Sequence, residues 1–263
     1  MKLSASVFAR TAVRTVALIV AAVLFALPAR MHASAVAAES GVCGERLTWT
    51  LKDGTLTISG EGEMYDYGAQ KDTAPWAKLE VERAVISDGV ASVGEYAFYD
   101  CDDLRNVLIS GSVAVIKSNA FRNCSGLESV VIRGGAVTVS SFAFGYCTGL
   151  RSVFIPASVT DISANAFRND SFFAVYTRAG AYAAGYAAEN GLPCVVIDKA
   201  NGDPDADGET TVSDALIALR AAAKLTFETP ELLACCDTDG DGKITVYDAL
   251  AILRCSAGLA DGL

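Results

Sequence analysis

Along residues 82–173 the apolar positions fall into one register that recurs every 23 residues, in four gapless blocks: 82–104, 105–127, 128–150 and 151–173. Each block opens on an alternating pair: Ala84 and Ile86, Val107 and Ile109, Val130 and Ile132, Val153 and Ile155. A single apolar slot follows at Val93, Ile116, Val139 and Ile162. The pairs Ala97-Phe98, Ala120-Phe121, Ala143-Phe144 and Ala166-Phe167 come next, and Leu104, Leu127, Leu150 and Phe173 close the blocks. Alternation over a few residues is the pattern of a short strand with one buried face. A fixed period of roughly 20–50 residues is the signature of stacked repeats. No block can bury its apolar face alone, so the pattern predicts a curved, β-rich repeat solenoid of short parallel strands, closed by a cap at each end. Residues 41–81, with strand-like Leu47–Leu51 and Leu56–Ile58 around the turn Asp53-Gly54, are one expected cap. Residues 174–198 are the other, with a helical run at 181–188, a turn at Asn190-Gly191 and an apolar strand at Cys194–Ile197.

If the alternating pairs point inward, the residues between them point outward in one column: Val85, Leu108, Val131 and Phe154, flanked by Arg83, Asn106, Ser129 and Ser152. Such a column is a candidate face for a protein or glycan ligand. The alternative is plain strand preference, which favours β-branched and aromatic residues wherever they point. Cys101, Cys124 and Cys147 lie 23 residues apart and so occupy one slot of successive blocks, where buried thiols acting as small hydrophobes are expected. The pairing of Cys43, Cys194, Cys235, Cys236 and Cys255 is open.

Past residue 198 the pattern changes to "KANGDPDADGETTVSDALIALR", and 34 residues further on comes "DTDGDGKITVYDALAILR". Both units carry carboxylates at loop positions 1, 3, 5 and 12 and glycine at 6: Asp203, Asp205, Asp207, Gly208 and Asp214, then Asp237, Asp239, Asp241, Gly242 and Asp248. Alternate residues then aim oxygen at one centre, glycine permits the sharp turn and the last carboxylate starts a helix, which is the logic of an EF-hand calcium loop. Clustered carboxylates repel, by about 1 kcal/mol per pair at 4 Å even in bulk water. A compact loop therefore calls for a divalent cation, and oxygen-only ligands point to Ca²⁺, two ions in all.

The start of the chain has a different pattern again. Lys2, Arg10 and Arg14 precede an unbroken apolar run, Thr15–Leu27, followed by the small-residue sites Ala33-Ser34-Ala35 and Ala35-Val36-Ala37. The run is too short for a membrane-spanning helix, which needs about 20 apolar residues. Residues 1–38 are expected to be a signal peptide, making the protein secreted and extracellular, or held at the cell surface through a scaffold. The net charge is −10; removing the four basic residues of the leader leaves 17 of 21 against 31 acidic ones, or −14. Nucleic acid and anionic membrane are poor partners for that balance. The single histidine, His32, also lies in the leader. Ser-His-Asp, Cys-His and His-ligated zinc chemistry are therefore excluded from the mature chain. Paired-carboxylate glycosidase chemistry needs no histidine, but its candidates, Glu61, Glu63 and Asp66, crowd into one short segment with no groove evident beside them.

Two resemblances sharpen this picture. The unit "LRSVFIPASVTDISANAFRND", with the Cys-x-Gly-Leu ends of neighbouring blocks, resembles the 23-residue leucine-rich repeats of BspA-like bacterial surface proteins. The stretch "LTWTLKDGTLTISGEGEMYDY" and the later "APW" resemble the lead-in common in such proteins. That family mixes adhesins and ligand binders, so the resemblance speaks for fold more than function. Residues 199–263 resemble the type I dockerin, a small all-α domain that docks proteins onto cohesin modules of cellulosome scaffolds. The resemblance implies that Asp203, Asp205, Asp207, Glu209 (through its carbonyl), Thr211 (through water) and Asp214 hold one ion. Asp237, Asp239, Asp241, Lys243 (carbonyl), Thr245 and Asp248 would hold the other. Cohesin contacts would fall on Val212, Ser213, Leu219, Arg220, Val246, Tyr247, Leu253 and Arg254. Thr210 stands where that family has an apolar residue, and the pairs Val212-Ser213 and Val246-Tyr247 differ from each other and from its common Ser-Thr. The expectation is a non-catalytic assembly component that displays the repeats for protein or glycan binding, with a surface adhesin and an accessory polysaccharide-degrading enzyme as alternatives.

Overall fold

The computed structural model describes residues 39–135, 138–168, 173–197, 200–260 and 262–263; the expected signal peptide, 1–38, lies outside them. The described chain begins with β1 (Glu39–Val42), β2 (Leu47–Lys52), β3 (Thr55–Gly60) and β4 (Gly62–Glu63). Each 23-residue block then supplies two strands: β5 (Arg83–Ile86) and β6 (Val90–Val93), β7 (Asn106–Ile109) and β8 (Val115–Ile116), β9 (Ser129–Ile132) and β10 (Thr138–Val139), β11 (Ser152–Phe154) and β12 (Asp161–Ile162). After these come β13 (Ala174–Thr177), α1 (Tyr182–Glu189) and β14 (Cys194–Val196), and then the helices α2 (Val212–Ala222), α3 (Pro230–Cys236) and α4 (Val246–Ser256).

The blocks stack as a β-solenoid. From β3 to β14 the first strands run parallel in the order β3-β5-β7-β9-β11-β13-β14, with β1 and β2 added antiparallel; the second strands form a five-stranded sheet, β12-β10-β8-β6-β4. Ala84 pairs with Val107, Val107 with Val130 and Val130 with Val153, so equivalent positions of successive blocks lie side by side. That register follows from alternation, because a slip of one residue would turn every apolar side chain outward. The turns repeat as well: Tyr96, Asn119 and Phe142 take φ of 53–59°, and Asp100, Asn123 and Tyr146 take φ of 56–66°, each set at 23-residue spacing.

The aromatic slot becomes a column through the core. Phe98, Phe121, Phe144 and Phe167 stack ring on ring at 4.7, 5.1 and 5.2 Å, with planes 12° or less apart. Offset stacking of this kind adds about 0.5–1.5 kcal/mol per pair to the burial itself. Trp76 closes the column at one end, 5.4 Å from Phe98, its indole N–H donating to the Ala97 carbonyl at 2.8 Å. Phe173 and Tyr186 close the other. Beside it runs the cysteine slot: the Cys124 thiol donates to the Phe98 carbonyl at 3.0 Å and the Cys147 thiol to Phe121 at 3.1 Å. Burial pushes the Cys101 thiol up to about 12. None of the eight cysteines, all among the described residues, is in a disulfide.

The outward column is where the structure departs from expectation. Val131 and Phe154 are 0% and 1% exposed, and Leu108 and Tyr176 are half-buried beside them; Val85 alone keeps clear of the contact. Helix α3 lies across β9, β11 and β13. These side chains join Leu233, Cys236, Ala218, Ile244 and Ile252 in one apolar cluster. The reading of Val85, Leu108, Val131 and Phe154 as one open ligand face is thereby corrected. The alternation placed them outward, but another part of the chain covers half of the column. No helix among the described residues is long and apolar enough to cross a membrane.

Candidate functional site

Both acidic loops fold around their own carboxylates. In the first, Asp203 accepts from the amides of Asp207 at 3.1 Å and Gly208 at 3.0 Å, while Asp207 accepts from Glu209 at 2.9 Å. In the second, Asp237 accepts from Gly240 at 2.8 Å and Gly242 at 2.9 Å, and Asp241 from Lys243 at 2.8 Å. The glycines at position 6, Gly208 and Gly242, take φ of +90° and +81°, a region that a Cβ makes costly. Each loop ends in a capped helix: Thr211 accepts from the Ser213 amide and Thr245 from the Tyr247 amide, while Asp214 and Asp248 accept from the Thr211 and Thr245 amides. The last carboxylate of each loop is thereby fixed in a helix first turn, buried, and turned back toward the loop.

Ligand-type oxygens of Asp203, Asp205 and Asp214 all lie within 4.8 Å of one another, and so do those of Asp237, Asp239 and Asp241. The two sets are not equivalent. Asp214 is fully buried; its Oδ2 accepts from the Thr211 amide and hydroxyl, and its Oδ1 has no partner. In the second loop the corresponding Asp248 uses Oδ1 to accept from the amide and hydroxyl of Thr238, at 2.9 and 2.8 Å, and Oδ2 to accept from Thr245. The difference lies at the second loop position. Thr238 has both a hydroxyl and an N–H to give, whereas Pro204 has neither.

The charges behave accordingly. Asp205 is raised above its ordinary value by desolvation in the crowded loop and by the charges of Asp207, Asp214 and Asp203, against the Asp207 amide. Burial likewise raises Asp237, in spite of the Gly242 amide and Arg178. Asp248 is lowered: burial opposes its charge, but the hydrogen bonds from Thr245 and Thr238 outweigh burial. The buried Asp214 Oδ1 is a polar atom left unanswered beside two more carboxylates. An all-oxygen donor set on flexible loops suits Ca²⁺ better than metals that seek thiolate or imidazole. The first loop therefore fits such an ion through its orphaned oxygen. In the second, the Arg178 guanidinium, from just past β13, already sits on Asp237 Oδ2.

The residues expected to meet a cohesin divide in two. Val212, Ser213, Arg220, Val246, Tyr247 and Arg254 are exposed, Tyr247 to 80%. Leu219 and Leu253 are half-buried against the shared apolar cluster instead. Thr210, the polar departure in the first loop, is half-buried and donates its hydroxyl to the Asn201 carbonyl at 3.2 Å, whereas Ile244 is buried in the cluster.

The carboxylates near the start do border a cavity, of about 450 Å³, lined among others by Glu61, Glu63, Tyr65, Asp66 and Lys117. The sequence showed no groove there because Lys117 arrives from more than 50 residues further on. Its ammonium donates to Asp66 at 3.0 Å and Glu63 at 3.4 Å, and these bonds outweigh partial desolvation to hold its pKa above the usual lysine value. Glu63 and Asp66 thus share one ammonium, that of Lys117.

Residues 76–178 match the family model of the BspA type leucine rich repeat region, in six copies. That range runs beyond the four blocks at both ends, to Trp76 and Arg178, and takes in β13. No curated protein matches the chain. Three solved structures are similar to it. A leucine-rich repeat protein from Eubacterium ventriosum has 24% identity over 48% of this chain and 40% of its own, with a TM-score of 0.41. One from Bacteroides ovatus has 20% identity over 52% and 37%, at 0.34. A leucine rich cell surface protein from Faecalibacterium prausnitzii has 22% identity over 52% and 48%, at 0.28. The chain spans less than half the length of each.

Proposed function

We propose that this protein, whose residues 76–178 carry BspA-type leucine-rich repeats, is a non-catalytic secreted component of a cellulosome-like assembly. Its C-terminal module is a type I dockerin that takes two calcium ions and binds a scaffold cohesin, and its repeats are displayed for protein or glycan binding. The observation that carries the reading is the buried, unpartnered Oδ1 of Asp214 beside the oxygens of Asp203 and Asp205. Calcium, when bound, supplies the positive charge that such a cluster lacks.

The chain's own residues do the rest. Asp203, Asp205, Asp207 and Asp214, with the Glu209 carbonyl and Thr211 through water, enclose the first position. Asp237, Asp239, Asp241 and Asp248, with the Lys243 carbonyl and Thr245, enclose the second. Val212, Val246, Tyr247 and the exposed Leu250 form an apolar rim at the starts of α2 and α4, with Arg220 and Arg254 further along, and that rim supports a protein partner. An adhesin acting through the outward column is less well supported, because Val131 and Phe154 are covered. The absence of histidine after residue 38 weighs against an enzyme that needs one as its general base.

The test is calorimetric titration of the full chain with Ca²⁺, followed by a cohesin pull-down with and without chelator. Binding of two ions and calcium-dependent capture are expected. No calcium uptake by the full chain would end the dockerin reading and leave a repeat protein alone.

A further inference from the structure

Arg178 is the first residue after β13 and belongs to the repeat part, yet its guanidinium ends in the second acidic loop. Nη2 donates to Asp237 Oδ2 and lies beside Gly240, while Nη1 donates to the Ile197 carbonyl at 3.3 Å. Asp237 has no side-chain exposure and Arg178 has 20%, so the pair is shielded. A second cross-link lies at the other side of α3: Arg133, just past β9, donates to both oxygens of Glu228 at 2.7 and 2.6 Å. Between the two pairs sits the apolar contact of Leu108, Val131, Phe154 and Tyr176 with the helical module.

We infer that these contacts form an intramolecular clasp that divalent-ion occupancy of the second loop opens, uncovering the apolar strip of Leu108, Val131, Phe154 and Tyr176 on the repeat sheet. The inference rests on the calcium reading of the loops. Arg178 is a permanent cation placed on the carboxylate that holds loop position 1, and its charge repels a divalent ion brought to the same carboxylate. Asp248 adds a second brake, since its Oδ1 must leave Thr238 before it can turn to the loop centre. The first loop has no such brakes. Arg133 and the buried apolar strip hold the clasp shut, so the second position fills only in the fraction of molecules that have opened, and its apparent affinity falls by that fraction.

The test uses the full chain. Calorimetry with Ca²⁺ on wild type and Arg178→Gln should show an unchanged first site and a second site tightened about tenfold in the variant, as expected for a clasp that is open about one time in ten. Small-angle scattering of wild type should show a larger radius of gyration at saturating Ca²⁺ than in chelator, with faster amide exchange across α3. If the second site is unchanged in the variant, or if wild type fills both sites with no change in size or exchange, Arg178 merely swings aside and the clasp is refuted while the calcium reading stands. If neither loop binds, both fall. Should Arg178→Gln fail to fold, the wild-type scattering and exchange decide alone.

Discussion

Two aspartates at the same loop position, Asp214 and Asp248, show how one neighbouring residue changes a site. Pro204 leaves Asp214 Oδ1 unanswered in a buried setting, whereas Thr238 answers Asp248 twice. On the proposed calcium reading, the first loop is therefore the better prepared of the two. Asp214→Asn keeps the shape but removes the charge that the ion would meet, and is expected to weaken first-site calcium binding about tenfold or more, since ligand charge tunes such loops. Titration of the variant beside wild type reads this directly. The cysteines make a second prediction at this scale. Burial pushes Cys43 to about 11 and Cys101 and Cys236 to about 12, while Cys194 is the exposed member of the set. Since the thiolate is the reactive form, iodoacetamide at pH 8 should modify Cys194 first and leave Cys101 and Cys236 intact until the protein unfolds; peptide mass mapping would detect any other order.

At the scale of elements, the aromatic column holds the blocks together. Phe121 stacks on Phe98 at 4.7 Å and on Phe144 at 5.1 Å, all three fully buried. Phe121→Ala opens a cavity between two rings and should cost about 3–5 kcal/mol in chemical denaturation; a loss under about 1 kcal/mol would mean that the blocks collapse onto the gap. Neighbouring strands alone do not explain the stack, because parallel pairing leaves side chains free to choose rotamers. Trp76 and Phe173 confine the column at its ends. Most of this scale was legible in the 23-residue period, and the flanking residues gave the turn at Asp53-Gly54 and a helical run at 181–188, where the helix spans Tyr182–Glu189. The left-handed turn residues, such as Tyr96 and Phe142, were not, because nothing in their residue type favours positive φ.

At the scale of the molecule, the repeats and the helical module share a core that neither shows by itself. Glu228 is 7% exposed, and both of its carboxylate oxygens accept from Arg133 Nη2. Glu228→Ala should cost about 3 kcal/mol, because it strands a shielded guanidinium, and should speed amide exchange in α3 more than in α4. Uniform exchange across both helices would show that the module is held by its apolar contacts alone.

The sequence by itself determined what repeats: local alternation and fixed spacing specify strands, register, the inward Ala-Phe slot and the spacing of loop carboxylates, because each depends on residues near one another in the chain. It also leaves residues 39–263 without a histidine. Only the tertiary structure decided what covers what. Val131 and Phe154 read as a ligand face until α3 was seen on them, and Arg178 carried no signal until it met Asp237, 59 residues away. Lys117 reaches Asp66 across 51 residues in the same way. Contacts of that range are set by how whole elements pack, and no periodicity in the chain encodes which exposed face another element will cover.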